Sequence, residues 1–130
     1  MTPIQLHRLS RAKEEGSHFL ADAALGIVVC GDESRSDVWV EDCAIAAIVV
    51  QLTAHSLGLG SCWIQIRKRF HSGEKPAGEY VQEVLGIPKN LLVASIISIG
   101  YPARATPSRP ATQLDYGKIH YNRYGASSRP

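Results

Sequence analysis

Residues 57–67 read LGLGSCWIQIR and concentrate most of the chain's candidate chemistry. Gly58 and Gly60 could let the backbone approach a ligand closely and turn neighbouring N–H groups toward acceptor atoms. The same pair fits a helix C-cap glycine followed by a tight turn. It is not a dinucleotide fingerprint: the third glycine is missing, and the pair follows a helix instead of opening one. Trp63 offers a stacking face to an aromatic ligand, or a large surface for core packing. Cys62 is a thiol with no activating neighbour in the sequence. Arg67, Lys68 and Arg69 could meet phosphates or form a solvated loop.

Other reactive side chains form no recognisable set. Glu41 and Asp42 are adjacent on a helix, so they point in different directions and cannot share a proton. Compensation of the helix dipole is the better reading. His18, His55, His71 and His120 are scattered, and His55 on an apolar helix reads as a core or interface histidine. Cys30, Cys43 and Cys62 are an odd number at no metal-like spacing, all in apolar surroundings. They read as buried free thiols of a reducing cytoplasm.

The elements that must position these residues fit one domain over 1–130, with a core at 1–102 and an arm at 103–130. The chain has 130 residues, 45% of them hydrophobic, with a net charge of +2 and dispersed bases. That balance makes no case for nucleic acid or an anionic membrane surface. The N-terminus is too polar for a signal peptide, and the apolar run 38–59 is too polar for a membrane span. Ile4 to Glu15 predicts a helix, and Ile27 to Cys30 predicts a strand buried on both faces. Val38 to Leu57 is the clearest helix, with Ser36 or Asp37 as cap and Gly58 at its end. It is apolar on nearly every side, which requires a core or a subunit interface. Ser61–Ile66 and Leu91–Ile99 read as strands, Arg67–Gly78 as a mobile loop, and Glu79–Leu85 as a short helix. The alternation of strand and helix argues for a layered α/β domain, although three strands make a small sheet.

Five ordered blocks together resemble the nitroreductase family of flavin enzymes. They are FLADAALGIVVCGD, VEDCAIAAIVVQLTAHSLGLGSCWIQIR, EYVQEVLGIP, VASIISIGYPA and KIHYNRYG. The resemblance implies an α+β sandwich: a central sheet flanked by helices, a long buried dimer-interface helix and an extended C-terminal arm. It implies a homodimer formed through the Val38–Leu57 helix and the arm, with FMN at the interface. It also implies ping-pong reduction of a small nitroaromatic or quinone-like acceptor by NAD(P)H, with the flavin carrying the chemistry. Carried over by position, Gly58, Gly60, Ser61, Trp63, Ile64, Gln65 and Ile66 lie beside the flavin. An N–H among Ile64, Gln65 and Ile66 would meet flavin N5, and Gln65 stands where relatives often carry Glu.

The resemblance covers only the second part of a typical family member, so a shortened N-terminus is expected. The Arg-rich segment that grips the FMN phosphate is absent, as is the Asn-x-Gln-Pro-Trp-like stretch. Arg8 and Arg11 do not sit in that motif. In the arm, Ala111 and Gln113 stand where relatives often place Lys or Arg, leaving Arg109 as the nearest base. A phosphate without those partners loses several charge-assisted hydrogen bonds, which predicts weakened FMN binding. The competing expectation is a non-catalytic remnant, acting as a dimeric scaffold or a small-ligand binding module.

Overall fold

In a computed structural model, which describes residues 1–104 and 107–126, the chain forms a three-stranded sheet between two helical layers. The elements are α1 (Pro3–Leu9), β1 (Leu25–Gly31), α2 (Trp39–Ser56), β2 (Gly60–Gln65), β3 (Phe70–Ser72), β4 (Lys75–Pro76), α3 (Ala77–Leu85) and β5 (Leu92–Gly100). The sheet order is β1-β5-β2, and β5 runs antiparallel to both neighbours. No helix among the described residues is long and apolar enough to cross a membrane.

β5 is central because its sequence suits burial on both faces: Val93 to Ile99 are all buried. On one face, Ile96 and Val93 meet Leu6 and Leu9 of α1, Ile64 of β2 and Val81 of α3. On the other, Ile97 and Ile99 meet Ala47 and Ala54 of α2. Small residues on α2 let the helix lie close to the sheet. A register shift between Val29 and Cys30 places Ala94 under Trp39, on the same side as α2. The Oγ of Ser95 is buried without a hydrogen-bond partner among the described residues. An unpaired hydroxyl in a core is unfavourable, so Ser95→Ala is expected to raise stability by about 1 kcal/mol. Urea unfolding of the two proteins measures this directly; a lower midpoint for the alanine variant would show that Ser95 has a partner.

Several expectations need correction. The first helix stops at Leu9, not Glu15. It starts on a capping box, in which Gln5 N–H donates to Thr2 Oγ1 at 3.2 Å and Thr2 N–H to Gln5 Oε1 at 2.8 Å. It stops because side chains take its carbonyls: Ser10 Oγ donates to His7 O at 2.7 Å and Ser17 Oγ to Ser10 O at 2.8 Å. Neither Ser36 nor Asp37 caps α2; Val38 holds that position, and Ser36 Oγ donates to Asp42 Oδ2 at 2.8 Å. Residues 27–30 of β1 are only half-buried, because β1 is an edge strand. Cys62 is exposed and Cys30 half-buried, so Cys43 is the one thiol of the three that is buried. His55 is exposed as well.

The expected loop at 67–78 is also folded. β3 and β4 pair as a small hairpin, and α3 begins at Ala77. His71 stacks on Tyr80 with ring centroids 3.8 Å apart. His71 Nδ1 donates to Arg11 O at 2.6 Å and Tyr80 Oη to Arg8 O at 2.9 Å, tying the hairpin and α3 to the end of α1.

Beyond residue 102 the chain leaves the core. Within residues 107–120 every side chain is exposed, and the backbone makes only two short 3-10 turns, Ala111–Gln113 and Tyr116–Lys118. Part of the expected arm, residues 105–106 and 127–130, lies outside the described residues. The accessible surface is 9247 Å². A compact monomer of 14.2 kDa exposes about 6,800 Å², so the chain shows roughly a third more than its mass requires.

Candidate functional site

β2 pairs on one side only, with β5. Ile66 N–H, one residue past the strand, donates to Ala94 O at 3.2 Å in continuation of the β2–β5 register. Ladder bonds alternate along an antiparallel pair. The N–H groups of Cys62 and Ile64 therefore also face β5, while those of Ser61, Trp63 and Gln65 face the open edge. The side chains of Ile64 and Ile66 are fully buried toward α1 and α3. Of the three residues expected to offer an N–H to a ligand, Gln65 is the one whose N–H is outward.

The side chain of Gln65 is already engaged. Trp63 Nε1 donates to Gln65 Oε1 at 3.0 Å, and Gln65 Nε2 donates to Arg67 O at 2.8 Å. An indole N–H only donates and a carbonyl only accepts, so these partners fix the amide's orientation. Gln65 holds the half-buried Trp63 ring against the α2 side of the sheet, where it meets the cluster of Ala47, Ala54, Ile97 and Ile99. This tether is not legible from residue types alone, although a Trp and a Gln two apart in a strand share a face.

The glycines have a structural explanation. Gly58 has φ +74°, and its N–H donates to His55 O at 3.0 Å, a left-handed residue just past the helix end. A side chain there would meet nothing within 4 Å, so the backbone conformation, not space, selects glycine. At Gly60 a Cβ would lie 3.6 Å from Gly100 O, an ordinary contact. Neither glycine forms a cradle that a side chain would fill. Ser61 lies on the open edge opposite Ile99 of β5. Arg109 is exposed on the arm and has no hydrogen bond or ion pair among the described residues; it is not brought to β2.

Alternative chemistry finds little support. Burial pushes the Cys30 thiol up, with Cys43 adding to the effect, and burial also pushes Cys43 up, with Asp42 adding. Both therefore stay protonated and are poor nucleophiles. Among the described residues no three His, Cys, Asp or Glu converge as metal ligands. An FMN ring edge fits the open side of β2, where outward N–H groups and an apolar neighbour meet. The cations next to that edge are Arg67, Lys68 and Arg69, directly past β2.

The layers define an α+β sandwich whose edge strand β2 pairs on one side only and whose long helix leaves Ile45, Ile48, Val49 and Leu52 exposed. The chain belongs to the nitroreductase family, whose model matches residues 2–101. It is 38% identical over 101 residues to an Archaeoglobus fulgidus protein named "Putative NADH dehydrogenase/NAD(P)H nitroreductase", covering 75% of this chain and 55% of that one. A protein of the same name from Methanothermobacter thermautotrophicus is 33% identical over 106 residues, covering 79% and 52%. The chain thus spans about half the length of these curated relatives. Among solved structures it is similar to an FMN-dependent nitroreductase from Clostridium difficile R20291, at 42% identity and a TM-score of 0.91, covering 95% of this chain and 72% of that one. A Bacteroides thetaiotaomicron structure, at 34% identity and a TM-score of 0.79, is similar over 95% and 68%.

Proposed function

We propose that this chain is the flavin-edge part of an FMN-dependent oxidoreductase, acting as a homodimer that reduces nitroaromatic or quinone-like acceptors with NAD(P)H. The observation that carries this reading is the outward N–H of Gln65 on an unpaired edge strand, with the amide side chain locked away from the ligand. FMN, when bound, supplies electron transfer between the nicotinamide donor and the acceptor. The chain's own part is to align the ring. Gln65 N–H is the donor available to flavin N5, and Ser61 and Trp63 offer further N–H groups along the same edge. Trp63, steadied by Gln65, supplies an apolar flank that keeps water from the ring.

The dimer rests on α2. Its Ile45 and Leu52 are 62% and 61% exposed, Leu57 just past its end is 70% exposed, and Ile48 and Val49 are exposed beside them. Five large apolar residues open to water along and just past one helix, together with the excess accessible surface, are what an interface between copies leaves when one copy is taken alone. Leu114, Tyr116 and Ile119 of the arm are exposed too, which suits an arm that lies on a partner.

Because the arm carries Ala111 and Gln113 where relatives often place Lys or Arg, the phosphate contributes little. Purified protein is expected to bind FMN and riboflavin with affinities within about threefold of each other; a gripped phosphate would separate them by about 10²-fold or more. Flavin absorbance after equilibrium dialysis measures both. A protein that takes up neither is the non-catalytic remnant, acting as a scaffold or as a binding module for another small ligand. Gln65→Pro removes the outward N–H without removing a ladder bond, since proline is tolerated at such edge positions. It is expected to weaken flavin binding about tenfold while the circular dichroism spectrum stays unchanged. Gln65→Ala keeps the N–H and frees Trp63, so it separates the two roles.

A further inference from the structure

Immediately past β2 the chain makes a turn built from three consecutive cations. Arg69 N–H donates to Ile66 O at 3.0 Å, closing a four-residue turn with Lys68 at φ +57°. That third position of a turn favours glycine when φ is positive, and a lysine there is strained. Strain retained at a surface turn calls for a use for the side chain. The turn borders a cavity of about 440 Å³ whose accessible apolar lining is Phe70, Pro76 and Leu92, with the buried Trp39, Ile66 and Val93 behind it. Its rim carries Arg67, Lys68 and Arg69 against two carboxylates, Glu33 and Glu79.

The cations are not neutralised by those carboxylates. The ion pairs among the described residues are Lys75–Glu83 and Lys118–Asp115, and neither involves the turn. Arg69 Nη1 donates to the neighbouring Lys68 O at 2.9 Å. The Arg67 guanidinium lies 5.6 Å from the centre of the Trp39 ring. Stacking of this kind fixes the plane of the guanidinium while its N–H fork remains available. A preorganised fork beside an apolar lining suits a flat ligand with a planar anionic group.

We propose that this cavity binds a small aromatic carboxylate, the ring against Phe70, Pro76 and Leu92 and the carboxylate on Arg67 and Lys68. The cavity begins one residue beyond Gln65, so, resting on the flavin reading of β2, its ligand is an electron acceptor bearing a carboxylate, such as a nitrobenzoate. Arg67 and Lys68 are then specificity-determining residues that favour acidic over neutral acceptors.

The test needs no flavin. Calorimetric titration of the purified chain with 4-nitrobenzoate, 4-nitrobenzyl alcohol and inorganic phosphate compares ring with charge, ring alone and charge alone. The acid is expected to bind at least tenfold more tightly than either of the others. Arg67→Gln should erase that preference, with Arg67→Lys restoring part of it. Lys68→Gly gives a signature that a purely structural role would not: relief of the positive φ raises Tm by roughly 2–5 °C, while affinity for the acid falls threefold or more. It also keeps the test decisive if Arg67→Gln fails to fold. Equal binding of acid and alcohol, or unchanged acid binding in Lys68→Gly, overturns the proposal. Flavin uptake without any preference for the acid overturns the cavity and leaves the flavin reading intact. Acid binding by a chain that takes up no flavin overturns only the assignment of the ligand as an electron acceptor.

Discussion

On the proposed α2 interface, Leu52→Asp is expected to convert the protein from a dimer to a monomer without unfolding it. Within one copy the Leu52 side chain is 61% exposed and touches neither core cluster of α2. In a monomer an aspartate there is a surface substitution, worth about ±0.5 kcal/mol. In a dimer built on α2 the same carboxylate is desolvated without a partner, which costs several kcal/mol and raises the dimer dissociation constant by about 10³-fold or more. Light scattering across a concentration series reads the mass directly. A parent chain that is already monomeric at high concentration would sink the interface, as would a Leu52→Asp dimer of unchanged affinity. With FMN at the proposed interface, flavin retention should fall together with the dimer.

Ile96→Ala is expected to destabilise the fold by about 2–5 kcal/mol, lowering Tm by 10 °C or more. Ile96 is fully buried on the central strand, in register with Val28 of β1 on one side and Ile64 of β2 on the other. Its side chain meets Leu6, Leu9 and Val81 from the helical layer. Truncation leaves a cavity that three secondary-structure elements must close together, and well-packed surroundings relax only in part. A domain of this size has about 5–15 kcal/mol in total, so the loss is a large share of its stability. Thermal unfolding followed by circular dichroism measures it. A Tm within 3 °C of the parent would mean that the α1–α3 layer is loosely packed.

The two substitutions probe different origins of stability. Ile96 acts inside one copy and Leu52 between copies, so their effects on unfolding and on dissociation should be separable.

Most of the elements, and the cover each needs, are legible in local residue patterns. Period-two and continuous apolar runs marked β1, β2 and β5, and β5 is buried as read. Apolar residues on all sides of 38–57 marked a helix that needs a core or a subunit interface, and Ile45, Ile48, Val49 and Leu52 stay exposed within one copy. Gly58 marked its end, and the five ordered blocks pointed to the family. These signals are local: dihedral preference, side-chain period and the φ > 0 requirement act within a few residues.

Only the tertiary structure decided which backbone groups are free. The register of β2 on β5 turns the Gln65 N–H outward and those of Ile64 and Ile66 inward, and register depends on residues distant in the chain. The sequence of 67–78 reads as a loop because what orders it comes from elsewhere: His71 reaches Arg11 O across 60 positions and Tyr80 reaches Arg8 O across 72. Trp39 beneath Arg67 likewise arises where α2 begins beside the end of β2. The three cations after β2 were visible as charges, but their lack of ion-pair partners among the described residues and their place beside an apolar cavity lining follow from packing, because burial and pairing belong to the assembled fold.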